Sequence, residues 1–283
     1  MITTTYANAH DFLQMAQAFL ETDEAANNLL LGVCFHLARA PERIKTTPYF
    51  ATVSENNELL LAAVMTPPHN LVIYGQKDTP RPAIRALAER LLTDQTMPPG
   101  VVGPVEIARA FAQAWADVAG VKQRPGMRQR IYELRRVIPP ASTPGYLQLA
   151  TPTETDLITN WALAFQTEAL APGGDPAQTR ETIAYRLNQQ EVYLWVDGQP
   201  VSMAAKGRPI THGITVNLVY TPPEFRHQGY ASAAVAALSQ LLLDSGWQFC
   251  TLFTDLSNPT SNHIYQTIGY TPVCDFNEYV FDR

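Results

Sequence analysis

The runs NLVIYG at 70–75 and NLVYT at 217–221 begin alike and sit alike: each follows a hairpin pattern and precedes a helical one. A β-rich run that returns with the same neighbours constrains the fold strongly, because it asks the chain to build the same kind of layered unit twice. A length of 283 residues accommodates two ordinary domains. The seam between them is RRVIPPASTPGYLQLATPTETD at 135–156, where proline, serine, threonine and glycine cluster as they do in linkers. It predicts two domains, 1–140 and 146–283, of α/β (α+β) class. With 46% hydrophobic and 16% charged residues, each half can bury a core, and wholesale disorder is excluded.

Before the seam, periodicity predicts helices over 11–21, 83–92 and 105–118, with Phe12, Met15, Phe19 and Leu20 on the apolar face of the first. A hairpin is expected over 49–65, turning at 55–57, with further strands over 70–75, 100–103 and 127–137. After the seam, helices are expected over 155–169, 176–189, 229–244 and 259–267. A hairpin over 191–207 turning at Asp197–Gly198 is expected, with further strands over 213–220, 249–255 and 277–283.

The halves differ where the shared run ends. After Tyr74 the chain reads GQKDTPRPAIRAL; after Tyr220 it reads TPPEFRHQGYASAAV. In the second segment a strand stops at Pro222–Pro223, which cannot donate ladder hydrogen bonds, so it is expected to part from its neighbour there. A polar loop with Arg226 and Gly229 then opens an Ala-rich helix. The first N–H groups of a helix lack intrahelical partners and carry partial positive charge, so that end attracts anions. Gly229 lets the chain turn tightly, Ala231 is small, and the Arg226 fork suits phosphate oxygens. A diphosphate fits this combination. Taken alone, the same strand–loop–helix serves equally as an ordinary α/β connection. Ala231, Val235, Leu238 and Leu242 form the helix's apolar stripe, and Gly246 ends it.

Downstream, in SNPTSNHIYQTIGY, Asn258 reads as an N-cap and Pro259 as the first helical residue. Ser261, Asn262 and Tyr265 share a face, while Ile264 and Ile268 take the core side, so Tyr265 is expected to turn its phenol away from the core. Asn258 as a cap alone and Tyr265 as an amphipathic residue at a core edge are the plainer alternatives.

The segments VYTPPEFRHQGYA and LFTDLSNPTSNHIYQTIGY together resemble the core of the GNAT superfamily of acetyl-CoA-dependent N-acyltransferases. Arg226-x-x-Gly229-x-Ala231 matches that family's Gln/Arg-x-x-Gly-x-Gly/Ala signature, and Asn258, Tyr265 and Gly269–Tyr270 match its Asn…Tyr…Gly–aromatic region. The resemblance covers roughly 146–281. By element order, 1–140 resembles a degenerate GNAT copy without the CoA loop. The implied fold is two GNAT-like domains, each a mixed, mostly antiparallel central sheet flanked by helices.

The resemblance also implies roles. Arg226, His227, Gln228, Gly229, Tyr230, Ala231 and Ser232 would wrap the CoA pyrophosphate. The strand segment Val219, Tyr220 and Thr221 would lie beside the pantetheine arm, with Val219 and Thr221 pairing through their backbones. Asn258 would bind that arm, and Tyr265 would protonate the departing thiolate as well as touch the cofactor. The implied activity is transfer of an acetyl group from acetyl-CoA to a primary amine of a small molecule or peptide, by direct attack in a ternary complex. A backbone N–H near Val219 would face the carbonyl oxygen as charge develops. Asn217 cannot act as a base; Glu168, between the two early helices of the second half, is the candidate for that role. The alternative is a non-catalytic acyl-CoA-binding regulatory module.

Other chemistries find less support. His10, His36, His69, His212, His227 and His263 show no metal-ligand spacing, and Cys34, Cys250 and Cys274 form no pair, so no metal and no disulfide framework is expected. The net charge of −6 argues against nucleic acid as a partner. The N-terminus lacks a signal-peptide pattern, and no apolar run approaches the ~18 residues of a membrane span. A cytoplasmic monomer or homodimer with no membrane partner is the expectation. No Gly-x-x-x-x-Gly-Lys-Ser/Thr occurs, which speaks against a phosphate-loop nucleotide site.

Overall fold

The computed structural model describes residues 1–43, 46–169 and 175–282; Arg283, the last residue of the predicted final strand, lies outside them. The chain divides into two compact units, Met1–Ile131 with Val273–Arg283, and Tyr132–Pro272.

In the first unit the chain runs β1 (Ile2–Tyr6), α1 (Ala9–Glu21), α2 (Asn28–Arg39), β2 (Tyr49–Glu55), β3 (Glu58–Met65) and β4 (Leu71–Gly75). It continues through α3 (Arg81–Thr93), β5 (Gly100–Pro104), α4 (Val105–Ala119) and the long strand β6 (Lys122–Leu134). Strand order is β1-β2-β3-β4-β5, and next to β5 comes β12 (Thr271–Asp282), whose residues from Val273 count with this unit. Pairing is antiparallel except for β4–β5, the parallel pair that α3 connects. The β2–β3 turn works because Asn56 and Asn57 both take positive φ, which asparagine tolerates. Leu87 and Leu91 of α3 and Phe111 and Trp115 of α4 bury against Val53, Ile73 and Phe281.

Two expectations change here. The apolar face of α1 is Phe12, Leu13, Ala16 and Leu20, with Met15 57% exposed. The helix begins two residues earlier than expected, capped by the Asn8 side chain, which accepts from the Asp11 N–H; the face differs because Leu13 and Ala16 centre it away from Met15. Helix α2 was not foreseen: NLLLGVCFHLAR carries a glycine and a β-branched valine in its interior, and no side chain caps its start.

The second unit contains β7 (Tyr146–Leu149), α5 (Thr155–Ala169), α6 (Pro176–Asn188), β8 (Val192–Asp197), β9 (Gln199–Gly207) and β10 (Gly213–Tyr220). Then follow α7 (Tyr230–Asp244), β11 (Phe249–Asp255) and α8 (Pro259–Thr267). Strand order is β11-β10-β9-β8-β7, antiparallel except for β10–β11, the parallel pair that α7 connects. The first unit's β4–α3–β5 connection has the same form, so each unit is a mixed, mostly antiparallel sheet with helices on it. Val235, Leu238 and Leu242 of α7 pack on one face with Ile214, Val216, Cys250 and Leu252. Ile158 and Ala162 of α5 and Ile183 and Leu187 of α6 cover the other, against Leu194, Met203 and Ala205.

The two strands of the parallel pair do not stay together. Registered partners run from Gly213↔Phe249 to Thr215↔Thr251. On the β9 side the register of β10 shifts between Asn217 and Tyr220, and Leu218 takes φ 52°, a left-handed conformation inside a strand. Such a bulge turns the strand and ends regular pairing. The parting of β10 from β11 expected at Pro222–Pro223 thus begins earlier, after Thr215, while pairing with β9 resumes past the bulge at Tyr220↔Met203.

Candidate active site

The opening beyond the bulge belongs to a cavity of about 620 Å³. Val219, Tyr220 and Thr221 of the diverging strand form one wall, and Arg226, His227, Gly229, Tyr230, Ala231 and Ser232 form the floor where α7 starts. Asn258, Ser261, Ile264 and Tyr265 come from α8 and its cap, and Phe165 and Glu168 from α5. The structure thus assembles the predicted residues from three separate sequence segments; Gln228 is exposed in the same loop but does not line the cavity.

The floor has the makings of an anion site. Gly229 caps α7 with φ 83° and ψ 0°, and no side chain bonds the helix's first amides. Three other helices among the described residues, α1, α6 and α8, do receive a side-chain cap, from Asn8, Asp175 and Asn258. The Ala233 N–H bonds back to the Gly229 carbonyl at 3.0 Å, so the N–H groups of 230–232 are those left at the helix mouth. A Cβ at Gly229 would stand 2.9 Å from Thr143 Oγ1, in a conformation side chains seldom adopt. The helix start is held in place because Tyr230 donates its hydroxyl to Asp197 Oδ2 at 2.7 Å, and that bond, more than burial, raises the phenol's pKa. Tyr230 thus lines the cavity while its hydroxyl serves as an anchor.

Arg226 holds two partners within the protein. Its Nε donates to the Thr221 carbonyl at 2.9 Å and its Nη2 to Glu168 Oε2 at 2.6 Å, with the guanidinium 5.7 Å from the centre of the Tyr220 ring. Tyr220 donates its hydroxyl to Glu168 Oε1 at 3.0 Å. Burial first, then that bond and the carboxylate charge, raise the Tyr220 pKa. Both oxygens of Glu168 are thereby engaged, which ties α5 to the loop across 58 residues of sequence.

Tyr265 is 8% exposed and is the buried residue of α8; Ile264 is half-buried and faces the cavity. Ile268 is buried as expected, but Tyr265 is buried beside it while also lining the cavity, its ring packed edge-on to Tyr270 at 6.0 Å. Tyr270 is itself fixed by a 2.9 Å hydrogen bond with Ser239. Burial pushes the Tyr265 phenol up to about 12, so it keeps its proton throughout the neutral range. Asn258 caps α8 by accepting from the Ser261 N–H at 3.1 Å, as its sequence predicted. Asn217 accepts from Arg186 Nη2 at 2.9 Å. Burial raises the Cys250 and Cys274 thiols to about 12, which leaves little thiolate for nucleophilic work. Among the described residues no three His, Cys, Asp or Glu side chains converge, and no helix is long and apolar enough to cross a membrane.

Comparison with known proteins agrees with this geometry. Residues 197–280 match the FR47-like protein family. Solved structures share the fold along the whole chain. A GNAT-family acetyltransferase from Colwellia psychrerythraea aligns with a TM-score of 0.62 at 14% identity, covering 100% of both chains. A GCN5-related N-acetyltransferase from Sphaerobacter thermophilus gives 0.62 at 14%, over 98% of this chain and 94% of its own. A Drosophila protein gives 0.69 at 10%, over 99% and 98%. No curated protein matches the sequence. The chain has the fold of GNAT-family acetyltransferases, in a tandem form. Its FR47-like segment is the one that carries the loop, the bulged strand and Tyr265.

Proposed function

We propose that the chain is an N-acetyltransferase that moves an acetyl group from acetyl-CoA to a primary amine of a small molecule or peptide, by direct attack in a ternary complex. The observation that carries this reading is the uncapped start of α7 opening into a cavity beside a strand edge freed by the Leu218 bulge. A diphosphate matches the free amides of 230–232, with His227 and Gln228 beside it, and an amide-bearing arm matches the backbone of 219–221. Asn258, at the cavity's other wall, is in place to contact that arm. The active half corresponds to 146–283; 1–140 is a related copy whose α3 follows Pro80 and carries Pro82 in its first turn, and so offers fewer free amides than α7 does. A cytoplasmic setting goes with this reading.

Acetyl-CoA supplies the activated acetyl group. Holding both reactants in one cavity removes much of the entropic cost of their encounter. The backbone near Val219 offers an N–H to the carbonyl oxygen as it gains charge. Tyr265 holds its proton at Oη for the departing sulfur. The amine nitrogen forms the new C–N bond, the C–S bond breaks, and the extra amine proton passes to solvent. Glu168, engaged by Arg226 and Tyr220, positions the loop.

That engagement favours a second reading, a non-catalytic acyl-CoA-binding regulatory module, since the carboxylate expected as base is already occupied. An acetyl-CoA titration followed by a thiol-release screen over amine classes separates the two. Acetyl-CoA binding with thiol release on an amine, lost in Gly229→Glu, supports the enzyme. Binding without transfer to any amine supports the module, and wild-type affinity in Gly229→Glu overturns both.

A further inference from the structure

Helix α5 carries two neighbouring stripes. Ile158 and Ala162 are its buried contacts with the sheet. Trp161, Phe165 and Glu168, spaced four and three apart, share a second stripe, and none of the three is fully buried. The Trp161 ring stands 6.4 Å from that of Tyr220, while Phe165 and Glu168 line the cavity together with Tyr220 itself. Ile264 of α8 lines the same space.

This wall lies on one face of the sheet. Successive residues of a strand point to opposite faces. Tyr220 packs in the cluster built on α5 and α6, and Val219 in the one built on α7. A molecule resting on Phe165 and Tyr220 therefore meets β10 from the side opposite α7, whose start is where the diphosphate is proposed to sit. It reaches the strand edge without competing for the loop's amides.

The charges of the wall cancel. Glu168 and Arg226 are bonded to each other at 2.6 Å, and the other Glu168 oxygen accepts from Tyr220. Among the described residues lining the cavity there is no further Asp, Glu, Lys or Arg. The sequence that follows α5, LAPGG at 170–174, has no ionisable side chain either. A second charge on an acceptor held here would give up its water with no counter-charge to meet it. An apolar tail loses nothing by the same move and gains by leaving water.

We propose that the acceptor is a primary amine with an uncharged, apolar tail, an alkyl or aryl-alkyl amine laid against Phe165 and Tyr220. This rests on the acetyltransferase reading above and names the substrate class it left open. The cavity of about 620 Å³ falls within the ~300–1,000 Å³ of sites that take small molecules. The net charge of −6 draws ammonium ions to the chain at long range, and the wall then selects among them by their tails.

The test measures kcat/KM with saturating acetyl-CoA for n-alkylamines from ethylamine to hexylamine, and for the α,ω-diamine and ω-amino acid that match hexylamine in length. In wild type kcat/KM should rise about fourfold per methylene, the worth of burying one CH₂. The diamine and the amino acid should each fall at least tenfold below hexylamine. Phe165→Ala should compress the rise with chain length through KM, Phe165→Leu should keep most of it, and Phe165→Glu should bring the diamine level with hexylamine. Circular dichroism shows which variants are folded, and the Phe165→Leu comparison stands if Phe165→Ala is not. A flat series overturns the proposal, as does a diamine or amino acid used as well as hexylamine by wild type. The same wall would also suit a longer acyl group, so acyl-CoA chain length is varied with ethylamine as acceptor. A preference that grows with the acyl chain and not with the amine overturns the assignment. If no amine is acetylated at all, the acetyltransferase reading fails on its own. Calorimetric titration then decides this one: hexylamine binding that exceeds the diamine's and weakens in Phe165→Ala upholds the apolar site, and no binding to wild type overturns it.

Discussion

Gly229 and Tyr265 carry most of the proposed chemistry, and each leads to a distinct expectation. At Gly229, alanine meets a left-handed backbone, which disfavours side chains by roughly 1–2 kcal/mol, and it meets Thr143 Oγ1 at 2.9 Å. Gly229→Ala should lower stability by about 1 kcal/mol in denaturant unfolding and weaken acetyl-CoA binding in a titration; unchanged affinity would detach the loop from the cofactor. Tyr265→Phe should lower kcat by about 10²-fold, the low end of acid catalysis, with cofactor affinity within a few-fold. Because the buried phenol titrates only near 12, Tyr265 should give no descending limb in the kcat–pH profile below about pH 10. Its contribution to stability follows the same sign: the raised pKa favours the folded state below the ordinary tyrosine value, and that advantage fades as pH climbs from 10 toward 12. An inflection near pH 8 that vanishes in Tyr265→Phe would contradict the burial described.

At the scale of elements, the hairpins and most helices were legible because local chemistry specifies them. Asp197–Gly198 and Asn56–Asn57 mark their turns, and Gly198 takes φ 68°. The loop and uncapped helix start of the proposed anion site were legible for the same reason. What escaped reading is non-local. The clasp of Glu168 on Arg226 joins residues 58 apart, and nothing in either segment announces the other. The Leu218 bulge shows no glycine or proline of its own, so LVY reads as plain strand. Tyr265 was expected off the core because Ile264 and Ile268 claimed that side; Ile268 is buried as expected, and Tyr265 shares its core cluster while still lining the cavity. Two predictions belong here. Deleting Leu218 should restore the β10–β11 ladder and abolish acetyl-CoA binding while the protein stays folded by circular dichroism; retained binding would show that the bulge does not make the opening. Arg226→Gln should change stability by under about 1 kcal/mol, as half-exposed pairs do. It should nonetheless weaken acetyl-CoA affinity at least tenfold, because the Thr221 carbonyl and α5 lose their common tether.

For the whole molecule, the compact units do not follow the chain's own order. The first unit is assembled from 1–131 and from 273–283, and the register Phe276↔Pro104 to Val280↔Gly100 sets the last strand against β5. A chain ended at Pro272 keeps every residue of the cavity yet strips β5 of that neighbour. Thermal unfolding should show a clearly lower midpoint for it and, with a bare strand edge, a greater tendency to aggregate. The arrangement also carries a schedule. During synthesis residues 1–131 emerge first but stay short of one strand until residues 273–282 have left the ribosome. The unit made second, 132–272, is the one able to finish first, and the earlier unit waits on a strand made after it.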